Sequence, residues 1–435
     1  MAFKKHRANA ALLRKVVLRA NTSLLIFTVM LFQFSALLLL TFKTDPIDTQ
    51  ALILAVALPV GTYLVTSILP RIWPIDRALL TLTLFLCSLG IVTLKDIARS
   101  PITPRNQAIF VLTGIFAMVA GIVFIRRLRS WEKWTPWLMG LTLLAVASPL
   151  VLGSWQGGAK NWIKLGENFS VQPSEFGKVA LIVILASSFT RHAGWKSMLI
   201  TLAFSACCCG LLLIERDLGA LLLYFLLTVF LFYVATSNLY LTLAGLGAGA
   251  ASAVVAYYLF DHVRTRVEIW QNPWADPQDK GYQIVQALIA IGSGGAFGMG
   301  LGLGMPRNIP LYHSDFIFAA VSEEFGWIFA VCVLAVYVLI IMRGVSVAMS
   351  ARTSFHAMTA FGVVAMIGLQ TLVIVGGVIK LIPLTGVTLP FVCSGGSSMV
   401  ACMGMMGMLL GISSINAQDE IEDLHKLEWR EAMRE

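Results

Sequence analysis

The sequence predicts an all-α, polytopic membrane protein with about 12 transmembrane helices and a large extracellular loop between helices 9 and 10. Three observations predict it. Of 435 residues, 58% are hydrophobic and 13% charged, whereas about a quarter of a soluble domain is charged. The apolar residues gather in runs close to the roughly 20 residues a helix needs to cross a bilayer. The charges fall between those runs in the order that sets membrane topology. A soluble enzyme, a disordered chain and an outer-membrane barrel are excluded together.

The first apolar run, 22–42, follows Lys4, Lys5, Arg7, Arg14, Lys15 and Arg19, and no acid precedes Asp45. That places the N-terminus in the cytoplasm. The run exceeds a signal-peptide core and lacks a small-residue cleavage site, so it reads as an uncleaved span. Further runs follow at 50–69, 77–95, 107–125, 134–153, 174–190, 197–214, 217–235, 238–258, 314–342, 356–379 and 386–412. The stretch 197–235 also reads as one broken span. Inner loops then carry Arg71 and Arg77, Arg126 to Lys133, Arg191 and Lys196, and Arg343 and Arg352, so 19 of the 32 basic residues lie inside. An even span number returns the C-terminus to the cytoplasm. The formal charge of +9 is therefore topological, and no nucleic-acid partner is expected.

Two outer segments are long, 154–173 and 259–313. A connection of the second one's length carries function more often than it merely connects. The tail 416–435 is charged and reads as a short amphipathic or frayed helix. The chain thus divides into 1–133 (a basic segment and four spans), a core at 134–415 and the tail. The seven cysteines mostly lie in apolar runs without metal-ligand spacing, so they read as buried thiols.

Ionisable residues inside spans are costly and mark sites by default. Glu175 and Lys178, three apart at the start of a helix, read either as an ion pair locking two helices or as the wall of a polar cavity. Asp217 is placed to cap the following helix. Glu323 and Glu324 point about 100° apart, so at least one faces a polar interior, while Asp315 is placed to stabilise that helix's N-terminus. The long loop interleaves Arg264, Arg266, Asp276, Lys280, Gln283 and Arg307 with aromatics, and seven glycines fall between Gly292 and Gly304. Such backbone beside cations suits a pyrophosphate at the membrane surface. A gating loop fits the same pattern, and the dinucleotide motif is absent.

These stretches resemble the SEDS family (shape, elongation, division and sporulation), the FtsW/RodA/SpoVE group. The resemblance is carried in order by Val171-Gln172-Pro173-Ser174-Glu175 with Lys178, Asp217-Leu218-Gly219, Asp276-Pro277 with Gly281-Tyr282-Gln283, and Ile289 to Gly295. It continues through Asp315-Phe316-Ile317-Phe318, Glu323-Glu324-Phe325-Gly326, Leu381 to Gly386, Leu389-Pro390-Phe391 and Gly395-Gly396-Ser397-Ser398.

The resemblance implies a peptidoglycan glycosyltransferase of the bacterial cytoplasmic membrane that polymerises lipid II, for elongation, division or sporulation. A class B penicillin-binding protein, a transpeptidase, is the implied partner. The family's essential acid maps onto Asp276, which then acts as general base on the acceptor sugar hydroxyl. Lys164, Arg264, Arg266, Lys280 and Arg307, or a divalent cation (Mg or Mn), would steady the departing pyrophosphate. No organic cofactor is expected. Glu175, Lys178, Gln283, Asp315, Glu323 and Glu324 complete the expected substrate-binding set. Members usually carry three spans before the Gln-Pro-Ser-Glu segment, and this chain has five, so two N-terminal helices are extra. It also departs at Glu215-Arg216, Ile374 and Cys393-Ser394, where members usually carry Gln-Pro, Asn and Ser-Tyr. The main alternative is a lipid-linked precursor flippase with Glu175, Lys178, Glu323 and Glu324 along its path. A third is a scaffold for the penicillin-binding partner.

Overall fold

The computed structural model describes residues 22–433 apart from 44, 99, 101, 128–130, 157–158, 165, 167–169 and 190–194. The basic N-terminal cluster from Lys4 to Arg19, Arg129, Arg191 and Arg434 lie outside the described residues. The helices are α1 (Ser23–Phe42), α2 (Thr49–Ile72), α3 (Arg77–Ile97), α4 (Ile102–Arg127), α5 (Trp131–Leu152), α6 (Pro173–Phe189) and α7 (Trp195–Ile214). They continue with α8 (Leu218–Thr236), α9 (Leu239–Leu259), α10 (Asp261–Gln271), α11 (Tyr282–Gly294), α12 (Ile317–Met349), α13 (Ser354–Val378) and α14 (Gly396–Ala432).

Among the described residues, eleven helices are long and apolar enough to cross a membrane. The expected twelfth is α6, which has 17 residues, a rise of about 26 Å. It is the central helix: α5, α7, α8, α13 and α14 surround it, and fourteen of its residues are buried. The 197–235 stretch is two helices, α7 and α8, with Asp217 capping the second through the Ala220 amide at 3.0 Å. The span expected from 314 begins at Ile317, and the tail is an unbroken continuation of α14 instead of a separate helix.

The long connections fold. Segment 154–173, expected as loop, holds an antiparallel sheet in the order β1 (Ser154–Gln156), β2 (Ala159–Lys164), β3 (Ser170–Val171). Loop 259–313 holds α10, α11 and two 3-10 turns, Pro273–Ala275 and Pro306–Asn308. Hydrogen bonds tie α3's end, the sheet, the α7–α8 turn, this loop and segment 379–395 together on one face. On the opposite face Arg343 pairs with Asp76 at 2.8 Å, Arg352 pairs with Asp423, and Arg126 donates to Ser414 at 2.6 Å.

Gly326 breaks α12 with φ 86°. A Cβ there would sit 2.4 Å from both Ala296 O and Gly298 N, so the glycine admits the neighbouring loop. The break frees two helical carbonyls. Met299 N–H donates to Glu323 O at 2.8 Å and Gly300 N–H to Glu324 O at 3.1 Å, which satisfies groups that would otherwise be costly to bury.

Candidate active site

Three polar groups sit on the loop face and take up part of the predicted set, while Asp276, Lys280, Gln283, Lys164 and Arg264 lie outside them. The first is built on α6. Pro173 starts the helix, where its missing N–H costs nothing, and Glu175 falls in the first turn, where an acid is favoured. Lys178 Nζ lies 2.8 Å from Glu175 Oε2 and donates to Gln370 Oε1 of α13 at 3.2 Å. Gln370 in turn donates to Thr388 O at 2.8 Å. Lys178 is 1% exposed. The pair thus ties α6 to α13 and to segment 379–395.

Asp217 anchors the second group. Besides capping α8, its carboxylate accepts from Asn161 Nδ2 at 2.8 Å and Gln172 Nε2 at 2.9 Å. Arg266 of α10 donates to the Leu384 and Thr385 carbonyls at 3.1 and 3.0 Å. Burial lowers its pKa, and the charges of Asp217 and Asp315 oppose that shift. Burial raises the Asp315 carboxyl against the pull of Ser314 and Arg266. Asp315 faces Arg266 and Gly386, so the expected N-terminal stabiliser of α12 belongs to a charge cluster. Glu215, in the α7–α8 turn, is fully buried, and neither carboxylate oxygen finds a donor among the described residues. Burial first and Asp217 second push its pKa up to about 8.

Asp276 stands apart. It follows the Pro273–Ala275 turn, is exposed, and makes no hydrogen bond or ion pair through its carboxylate among the described residues. Its backbone carbonyl accepts from Gly281 N–H at 2.9 Å. A Cβ on Gly281 would sit 2.0 Å from Pro273 O and 2.8 Å from Asp276 O, so the glycine lets the turn close and present the acid. Lys280 is exposed beside it, and Gln283 is half-buried in the first turn of α11.

The third group surrounds Glu323 and Glu324. Both are buried, and both accept from the glycine loop: Met305 N–H on Glu323 Oε1 at 2.9 Å, Gly302 N–H on Glu324. Arg307 donates Nε to Ile97 O at 3.0 Å and Nη2 to Asp96 O at 3.2 Å. It also lines, with Tyr282, Tyr312 and His313, a cavity of about 450 Å³, which links this loop to the helix following the Asp276 turn.

Lys164 is exposed on β2 and Arg264 stacks over Tyr257 at 5.8 Å, both outside these groups. Sequence reading missed Gln172 and Asn161 as Asp217 partners, Gln370 as the Lys178 partner, and Asp96 and Lys43. A polar residue within or ending an apolar run was the available signal for Gln370 and Asp96. Among the described residues no group of three or more His, Cys, Asp or Glu could hold a metal ion.

Residues 72–418 match the family model of the cell cycle proteins FtsW, RodA and SpoVE. The chain belongs to the FtsW/RodA/SpoVE family. Peptidoglycan glycosyltransferase RodA of Mycobacterium tuberculosis (strain H37Rv) is 35% identical over 365 residues, 78% of each chain. The probable peptidoglycan glycosyltransferase FtsW of Geobacter metallireducens is 34% identical over 327 residues, 71% of this chain and 84% of that one. The crystal structure of Thermus thermophilus RodA superposes with TM-score 0.59 at 26% identity, covering 78% of this chain and 96% of that one. A chain from a peptidoglycan synthase complex, solved for its coordination of polymerization and crosslinking, gives TM-score 0.67 at 28% identity, with 79% and 98% covered. All the predicted site residues fall inside the FtsW/RodA/SpoVE match, whereas α1 and nearly all of α2 precede it.

Proposed function

We propose that this multi-pass membrane protein is a peptidoglycan glycosyltransferase that polymerises lipid II at the outer face of the bacterial cytoplasmic membrane. Asp276 is its general base. The observation that carries the reading is the Asp276 turn: an exposed carboxylate, engaged by no other described group, held on a turn that Gly281 closes. A carboxylate whose lone pairs are unengaged is free to accept a proton from substrate, and a positioned base contributes about 10²–10⁴ in rate.

Asp276 takes the proton from the acceptor sugar hydroxyl as that oxygen bonds to the donor's anomeric carbon. The bond from that carbon to undecaprenyl pyrophosphate breaks, and its electron pair leaves with the pyrophosphate, inverting the centre. Of the five basic residues expected to steady the leaving group, Lys280 and Arg307 are favoured by their proximity to the turn and to Tyr282. Arg266 and Arg307 each donate to two backbone carbonyls, so location alone ranks them.

Both termini lie in the cytoplasm in this reading, as the basic loops imply. A class B penicillin-binding transpeptidase is the partner, a reading supported by the likeness to a complex that couples polymerization with crosslinking. The flippase alternative loses its main support, because Glu175, Lys178, Glu323 and Glu324 are engaged in fixed contacts. Purified protein and its partner, given lipid II with penicillin to block cross-linking, should make long glycan strands. The folded Asp276→Ala variant should be slower by about 10²–10⁴, and normal polymerisation by that variant would sink the assignment.

A further inference from the structure

Lys43 closes α1, ahead of the family-matched stretch, yet its ammonium reaches into the third polar group. Lys43 Nζ lies 2.8 Å from Asp96 Oδ1. A Cβ added to Gly302, which has φ +79°, would fall 1.7 Å from Lys43 Nζ and 2.6 Å from Asp96 Oδ1. Only glycine leaves room there for the ammonium.

The Asp96 and Glu324 carboxyls face one another, and both are buried, at 6% and 2% exposed. Two buried acids side by side call for a cation to offset their repulsion. Lys43 supplies it, with Glu323 and Arg307 as the other charges facing the pair from α12 and its loop. A second tie holds the same hairpin: Lys95 of α3 pairs with Asp48 at 2.7 Å and donates to Gln50 at 2.8 Å. Lys43, Asp48, Lys95, Asp96 and Glu324 line a cavity of about 680 Å³ that also includes Arg307.

We propose that Lys43 is a positioning residue: it holds the Asp96–Glu324 carboxyl pair, which fixes the Gly302–Arg307 loop and so places Arg307 for the polymerisation reaction. The extra hairpin is then a working part of the site. This proposal rests on the glycosyltransferase reading for its kinetic consequence and on geometry alone for the latch.

Lys43→Met, Lys43→Arg and the double variant Lys43→Met/Asp96→Asn test it on the full-length protein. Amide hydrogen exchange across 300–308 reads the latch without reference to activity. It should quicken about tenfold in Lys43→Met and return towards wild type in the other two, because arginine keeps the charge and asparagine removes the need for it. Strand synthesis should lose about tenfold in kcat with KM changed less than about twofold, as for a displaced group acting in the transition state, with the same two rescues. Unchanged exchange in Lys43→Met, or failure of Asp96→Asn to rescue, overturns the latch. Quickened exchange with unchanged kcat overturns the positioning role. A wild-type protein that makes no strands refutes the polymerase reading instead, and the exchange result alone then decides the latch.

Discussion

Lys178→Met removes the cation that faces Glu175 inside the bundle. The Lys178 side chain is 1% exposed and its partner's 8%, at a separation of 2.8 Å. The variant therefore strands a buried carboxylate and leaves Gln370 Oε1 without its donor. Breaking a buried pair from one side costs about 3–5 kcal/mol, whereas replacing both partners by groups of similar size is often close to neutral. Unfolding of the purified protein in detergent should accordingly show Lys178→Met less stable by about 3–5 kcal/mol, and Glu175→Gln/Lys178→Met recovering most of that loss. The double variant should also keep most of its strand synthesis, because the pair reaches across to α13 as a lock. A Lys178→Met protein as stable as wild type would refute the energetic argument. A stable but inactive double variant would return the pair to the substrate path.

Asp276→Ala should leave the unfolding temperature unchanged, since the side chain is exposed and unpaired, and should cost about 10²–10⁴ in polymerisation rate. Gly281→Ala should destabilise its turn by about 1–3 kcal/mol, as overpacking does, and lower strand synthesis in parallel; amide exchange over 272–285 and the lipid II assay would show both. Glu215, held up to about 8 against an ordinary 4.5, binds a proton more tightly folded than unfolded. Stability should therefore fall as pH rises from about 4.5 to 8. Glu215→Gln should flatten that slope in thermal unfolding, and a slope as steep as wild type would refute the protonation argument.

The spans, their approximate ends and the length of the 259–313 connection were legible because hydrophobic length and charge placement are local signals. The Gln-Pro-Ser-Glu start of α6 and the capping role of Asp217 were legible for the same reason. The partners of these residues were not. Gln172 and Asn161 meet Asp217 from 45 and 56 residues away, and Gln370 meets Lys178 from 192 away. No periodicity carries such a distance. The tail was legible as helix, but its continuity with the last span was not: charge after Asn416 suggested an end to the span, while α14 continues into its polar part.

The sequence by itself determined the membrane class, the approximate number of spans and the family motif around Asp276, since each depends on residues close together in the chain. Tertiary structure alone decided which charges are spent and which remain to act. Glu175, Glu323 and Glu324 look like the equals of Asp276 in one dimension. Packing engages those three with Lys178 and with the amides of Met305 and Gly302. It leaves Asp276 exposed on its turn. The physical reason is desolvation: a buried carboxylate needs partners to exist as an ion, and an exposed one keeps its lone pairs for substrate.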